Sequence, residues 1–193
     1  AMQWMALSNP WDYLRALLDN EGDDRRTEAV LKLKARKMAD DYQEIFGGLA
    51  KAYGVTLVAG SIVLPEPYLD EGRLRSGSGP LRQVSLTFMP DGDVLGPLQY
   101  KKHLSRYERR YSEAPEDRAP SVLQTPAGRL IVLLGCDGYT RHVSEEAELL
   151  AVPGARDEPL NTCGANLSTT ATLARMEVQT LGLPWNLVGS PRR

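Results

Sequence analysis

Three residues of this 193-residue chain stand in settings that suit nucleophilic chemistry. Lys101 and Glu108 lie seven residues apart in the segment Gln99-Tyr100-Lys101-Lys102-His103-Leu104-Ser105-Arg106-Tyr107-Glu108, which follows a predicted β-hairpin. Cys136 follows the apolar run of residues 130–134 and one glycine, so its thiol is predicted where a buried strand emerges into a turn. An ammonium, a carboxylate and a thiol are the groups that attack on a carbon–nitrogen bond requires. Strand ends suit a nucleophile because the sheet fixes the side chain while the loop leaves it accessible. Position alone also fits a small buried hydrophobe at Cys136 and a solvated lysine at Lys101. His103 reads as structural, since the motif offers it no aspartate. His142, six residues beyond Cys136, is the alternative base of a Cys–His pair, with no other feature in support. Two cysteines and two histidines are scattered without ligand spacing, so neither a metal nor a cofactor is expected.

The elements that must position these residues follow from pattern. Pro10 opens a short helix over residues 11–18. Thr27 is a plausible N-cap for a long helix to about residue 53, with Tyr42, Ile45, Phe46, Leu49, Ala50 and Tyr53 forming one apolar stripe. Gly54 stops it, and residues 55–59 read as a buried strand. Residues 65–80, rich in Gly, Ser, Pro and charge, read as a loop. Hairpins are predicted around residues 90–93 and 125–128. Helices near 144–150 and 171–181 and a last strand at 185–189 complete the pattern. Helix-linked strands together with hairpins imply a mixed sheet in a layered α/β domain.

Composition excludes some classes. The length fits one domain that buries roughly 70% of its unfolded surface. Net charge is −2, with 23 basic and 25 acidic residues, so no polyanionic partner is indicated. The basic cluster Lys101, Lys102, Arg106, Arg109 and Arg110 has Glu108 in its midst and lacks a glycine-rich phosphate cradle, so nucleic-acid binding is not expected. Phosphate or nucleotide binding there ranks below the other readings. Cys136 and Cys163 make no disulfide framework; reduced thiols in a cytoplasmic setting are the default, with a single bridge the alternative. No apolar run approaches the ~18 residues of a membrane span.

In order, the chain carries Leu49-Ala50-Lys51-Ala52-Tyr53-Gly54-Val55-Thr56-Leu57-Val58-Ala59-Gly60-Ser61, then Val84-Ser85-Leu86-Thr87-Phe88-Met89-Pro90-Asp91-Gly92-Asp93-Val94-Leu95-Gly96. Lys101-x-His103-Leu104 with Glu108 follows, then Thr125-Pro126-Ala127-Gly128-Arg129-Leu130-Ile131-Val132-Leu133-Leu134-Gly135-Cys136, and finally Ala174-Arg175-Met176-Glu177. This succession resembles the nitrilase or carbon–nitrogen hydrolase superfamily over roughly residues 40–190. The resemblance implies an α-β-β-α sandwich with mixed sheets and a homodimer packed through helices, with Trp4, Trp11, Leu14 and the segment after Cys136 as candidate surface. It implies Cys136 as nucleophile, Lys101 as stabiliser of the oxyanion and Glu108 as the group that orients the lysine through a tertiary contact.

Two departures qualify the match. The family's first glutamate, a general base in a Pro-Glu context at the end of an early strand, has no counterpart; Pro65-Glu66 comes too late, and Glu28 and Glu44 lie within helices. Cys136 is followed by Asp137-Gly138-Tyr139 rather than by the usual acidic residue and Pro-Glu. Residues 1–193 therefore read as one domain lacking the family's first and last strands. Two functions compete: an amidase or nitrilase acting on a small substrate through a cysteine thioester, or a degenerate domain that binds a ligand or a protein.

Overall fold

The longest element is a helix whose two ends are fixed by local chemistry. The computed structural model describes residues 10–18, 23–116, 119–139 and 147–153. Helix α1 spans Pro10–Leu18 and α2 spans Arg25–Tyr53. Asp24 caps α2: its carboxylate accepts the Thr27 amide at 3.2 Å and the Thr27 hydroxyl at 2.8 Å. The cap is thus Asp24 rather than Thr27, because an aspartate satisfies the free amides and also opposes the positive helix end. Gly54, left-handed at φ 61, closes the other end. Its amide bonds Lys51 O at 3.3 Å and that of Val55 bonds Ala50 O at 3.1 Å, the paired bonds of a Schellman stop.

The sheet-facing side of α2 differs from the expected stripe. Ala35, Ala39, Tyr42 and Ala50 are buried, with Met38 and Phe46 packed beside them. Ile45, Leu49 and Tyr53 are exposed, Tyr53 to 75%. Small alanines let the helix approach the sheet closely, and the side chain that anchors it is Tyr42. Its hydroxyl donates to Gly60 O at 2.6 Å and accepts the Leu86 amide at 3.3 Å. Burial pushes this phenol up to about 12, partly opposed by the Leu86 amide.

Under the helix lie β1 (Leu57–Val58), β2 (Ile62–Asp70), β3 (Arg73–Phe88) and β4 (Val94–Tyr100), with β1, β2 and β4 each antiparallel to β3. Val84 pairs with both Ile62 and Tyr100, and Phe88 with both Leu57 and Val94. β1 and β2 therefore run along one edge of β3 and β4 along the other. The predicted buried strand at 55–59 shrinks to two paired residues. The loop expected at 65–80 is instead a long hairpin, turned by Glu71 and Gly72 at φ 48 and 75. Two positive φ values make a primed turn whose twist matches the strands. Pro65 and Pro67 are tolerated because β2 is an edge strand, bulged between them.

A second sheet holds β5 (Val122–Thr125), β6 (Gly128–Val132) and β7 (Leu149–Ala151). β5 pairs antiparallel and β7 parallel to β6, so this sheet is mixed. The predicted helix at 144–150 gives way to strand at Leu149 and Leu150. Leu130, Val132 and Leu134 pack with Val58 and Leu95 between the sheets, whereas Ile131 and Leu133 are buried on the other face. That is why residues 130–134 read as continuously apolar. The layers helix, sheet, sheet give the α/β sandwich; the expected elements at 171–181 and 185–189 lie outside the described residues.

Two adjacent glycines of α2 separate packing from propensity. A Cβ on Gly47 would stand 2.9 Å from Gly92 O, whereas one on Gly48 meets nothing within 4 Å. Gly48→Ala is expected to stabilise the protein by about 0.5–1 kcal/mol in urea denaturation. Gly47→Ala should destabilise it by about 1–3 kcal/mol despite the same gain in helix propensity. Equal effects at the two positions would show that the helix does not approach the turn this closely.

Candidate active site

Lys101 leaves β4 with its backbone still on the ladder, its amide donating to Gln83 O at 2.9 Å. Its side chain, 4% exposed, reaches Glu108, where Nζ donates to Oε1 at 2.6 Å. Glu108 opens the short 3-10 turn Glu108–Arg110. Its second oxygen accepts the Ser105 amide at 2.7 Å, and its own amide donates to the Ser105 hydroxyl at 3.4 Å. Burial acts to raise the Glu108 pKa, but the Lys101 bond, the Ser105 amide, the lysine charge and the Gln83 side chain together hold it below the usual 4.5. An ion pair out of water persists when its remaining lone pairs are also satisfied. Here backbone and Gln83 meet that need. The contact between Lys101 and Glu108 is made across a loop, as the seven-residue spacing requires.

Cys136, 2% exposed, lies in the 3-10 turn Gly135–Tyr139 directly after the β6 segment. It is disulfide-bonded, and its partner lies outside the described residues. The expectation of a reduced thiol is corrected at this position. Asp137, the next residue, is 4% exposed and joins this turn to the lysine loop. Its Oδ2 accepts the Lys102 amide at 2.8 Å and its Oδ1 the His103 amide at 2.6 Å. The His103 ring also contacts Oδ1 through Nδ1 at 2.8 Å. His103, read as lacking an aspartate, thus has one, supplied from 34 residues away.

The structure sets Lys101, Glu108, Gln83, Ser105 and the Cys136 turn in one neighbourhood. Gln83, Ser105 and Asp137 were not singled out from sequence; only a period-2 reading of β3 against the Lys101 register offers a hint, and for Gln83 alone. Glu66 sits elsewhere. It is bulged at φ 37 with its carboxylate against Gly77 and Gly79, and lines a depression of about 540 Å³ with Arg82 and Tyr100. Tyr100 packs toward the helix core, so Lys101, one residue on, belongs to the opposite face. The basic cluster is divided: Lys101 is paired to Glu108 and Arg109 Nε donates to Leu104 O at 3.0 Å. His142, Cys163 and Trp4 lie outside the described residues. Among the described residues, no group of three His, Cys, Asp or Glu could hold a metal ion, and no helix is long and apolar enough to cross a membrane.

Glu108→Gln leaves the Lys101 ammonium buried without its counter-charge, a change that typically costs about 3–5 kcal/mol. The stability that Glu108 contributes is complete above its unfolded pKa and is lost as pH falls through the depressed folded one. Denaturation of both proteins from pH 7 to pH 3 should therefore show a gap that closes in acid. A gap that stays constant would mean the pair contributes nothing as an ion pair.

No family model matches the chain, and no curated protein does. Among solved structures it is similar to the NitN amidase of Nesterenkonia sp. AN1, at 23% identity and TM-score 0.48, over 63% of this chain and 46% of that one. It is also similar to a carbon–nitrogen hydrolase from Helicobacter pylori G27, at 16% identity and TM-score 0.49, over 75% and 48% of the two chains. A mutant of the Nesterenkonia amidase, in which acrylamide has added to the active-site cysteine, matches at 19% identity and TM-score 0.46, over 77% and 51%. The chain spans about half the length of each of these structures.

Proposed function

We propose that the chain carries part of the machinery of a thiol-dependent hydrolase of small amides or nitriles, with Cys136, Lys101 and Glu108 as its working residues. The observation that carries this reading is the buried Lys101–Glu108 pair, joined by Asp137 to the turn that holds the cysteine. For an amide, the Cys136 sulfur attacks the carbonyl carbon and the thiol proton passes to a base. The tetrahedral oxyanion is stabilised by the Lys101 ammonium. The carbon–nitrogen bond then breaks, the proton goes to the leaving nitrogen, and ammonia or an amine departs from a thioester. Water attacks the thioester, releasing the acid and restoring the thiol. Glu108 holds Lys101 in place through their 2.6 Å ion pair. The resemblance gives the role of base to a glutamate that no described residue matches.

A second reading rests on the disulfide at Cys136, since a bonded sulfur is no nucleophile. In that reading the fold serves as a binding module. Reduction separates the two. Burial of the freed thiol opposes the thiolate and a nearby ammonium favours it. Iodoacetamide at neutral pH, in the presence of reductant, is expected to label Cys136 faster than Cys163. Lys101→Ala should slow the Cys136 reaction about tenfold, the equivalent of one pKa unit. An inert Cys136, or a rate indifferent to Lys101→Ala, would transfer the assignment to the binding module.

We also propose a homodimer packed through helices, supported by the exposed Trp11 and Leu14 of α1. Light scattering at tens of micromolar that returned the 21.3 kDa monomer would count against it.

A further inference from the structure

We infer that Asp137 is a positioning residue that sets Lys101 against Cys136; this rests on the function proposed above. The Lys101 side chain is held from one side by Glu108, and its backbone is held by Gln83 O. Neither contact relates it to the cysteine. The residue that does so is Asp137, adjacent to Cys136 in sequence, whose two oxygens take the amides of Lys102 and His103 at 2.8 and 2.6 Å. Its own backbone is fixed, the Asp137 amide donating to Leu134 O at 3.1 Å, two residues beyond the end of β6. A rigid strand end thus grips the residues directly after Lys101 with a carboxylate that is 4% exposed. The His103 ring, whose side chain is 54% exposed, completes the acceptance at Oδ1 from the solvent side.

Charge and position make opposite demands here, which renders the role separable. A carboxylate next to a thiol disfavours the thiolate, so as a mere neighbouring charge Asp137 slows the reaction of Cys136. As a clamp it brings the ammonium to the sulfur and speeds that reaction. Asp137→Asn keeps the shape and removes the charge, but its NH₂ group cannot accept the second amide.

The test is the iodoacetamide rate of Cys136 in the full, reduced chain for wild type, Asp137→Asn, Lys101→Ala and the double variant. Asp137→Asn is expected to slow labelling about tenfold, and the double variant to be no slower than Lys101→Ala alone, since contacting residues that act as a unit are not additive. Faster or unchanged labelling in Asp137→Asn would overturn the inference, as would effects that multiply independently in the double variant. The Lys101→Ala rate by itself decides the underlying function, so the two failures are distinguishable. Should Asp137→Asn lose its fold by circular dichroism, amide hydrogen exchange in the wild type decides. The Lys102 and His103 amides should exchange slowly, and rapid exchange at both would sink the clamp.

Discussion

A lysine ammonium taken out of water has to be met by charge and by geometry together, and much of this molecule is arranged around that demand at Lys101. Glu108 supplies the charge at 2.6 Å. The depressed Glu108 pKa shows that partners win over burial: Lys101 itself, the Ser105 amide and Gln83 outweigh the cost of desolvating the carboxylate. Losing either charge exposes the other to that cost undiminished. The loop between the two residues is therefore constrained even though it has little regular structure.

The constraint propagates into the layers. β3 gives its outward row to the helix core through Val84, Leu86 and Phe88. Its inward row, Gln83, Ser85 and Thr87, is polar yet buried. A polar row inside a sandwich is costly unless it is used, and the Gln83 side chain is used in bonding Glu108. The loop beyond is pinned to the rest of the fold at several points. Glu113 N bonds Leu81 O at 2.8 Å, Arg82 bonds Ala114 O at 2.8 Å, and Arg110 O accepts the Asp24 amide at the helix start at 3.0 Å. The cap of α2 and the turn that carries Glu108 are thus joined by a hydrogen bond.

Sequence reading found those features whose cause is local. Gly54, the turn at 90–93 and the hairpin at 125–128 were legible because backbone conformation alone dictates them. Lys101 and Glu108 were legible through motif resemblance, and their spacing already required a contact across a loop. The β2–β3 hairpin was hidden because Pro65 and Pro67 mimic a loop, and only the strand's edge position makes them harmless. The stripe on α2 was misassigned because three alanines and one tyrosine pack better against this sheet than the larger Ile45 and Leu49. Asp137 and the partner of His103 could not be read at all, since 34 residues separate groups that only the fold brings together.

The central claim is that a fixed ammonium acts on the sulfur of Cys136. Ultraviolet titration of thiolate absorbance in the reduced protein, with Cys163→Ser to leave one signal, tests it most directly. The Cys136 thiol is expected to titrate below the ordinary value of about 8.5, and to move upward when Lys101 is replaced by methionine. A thiol that titrates at or above the ordinary value, and does not respond to Lys101→Met, would contradict it.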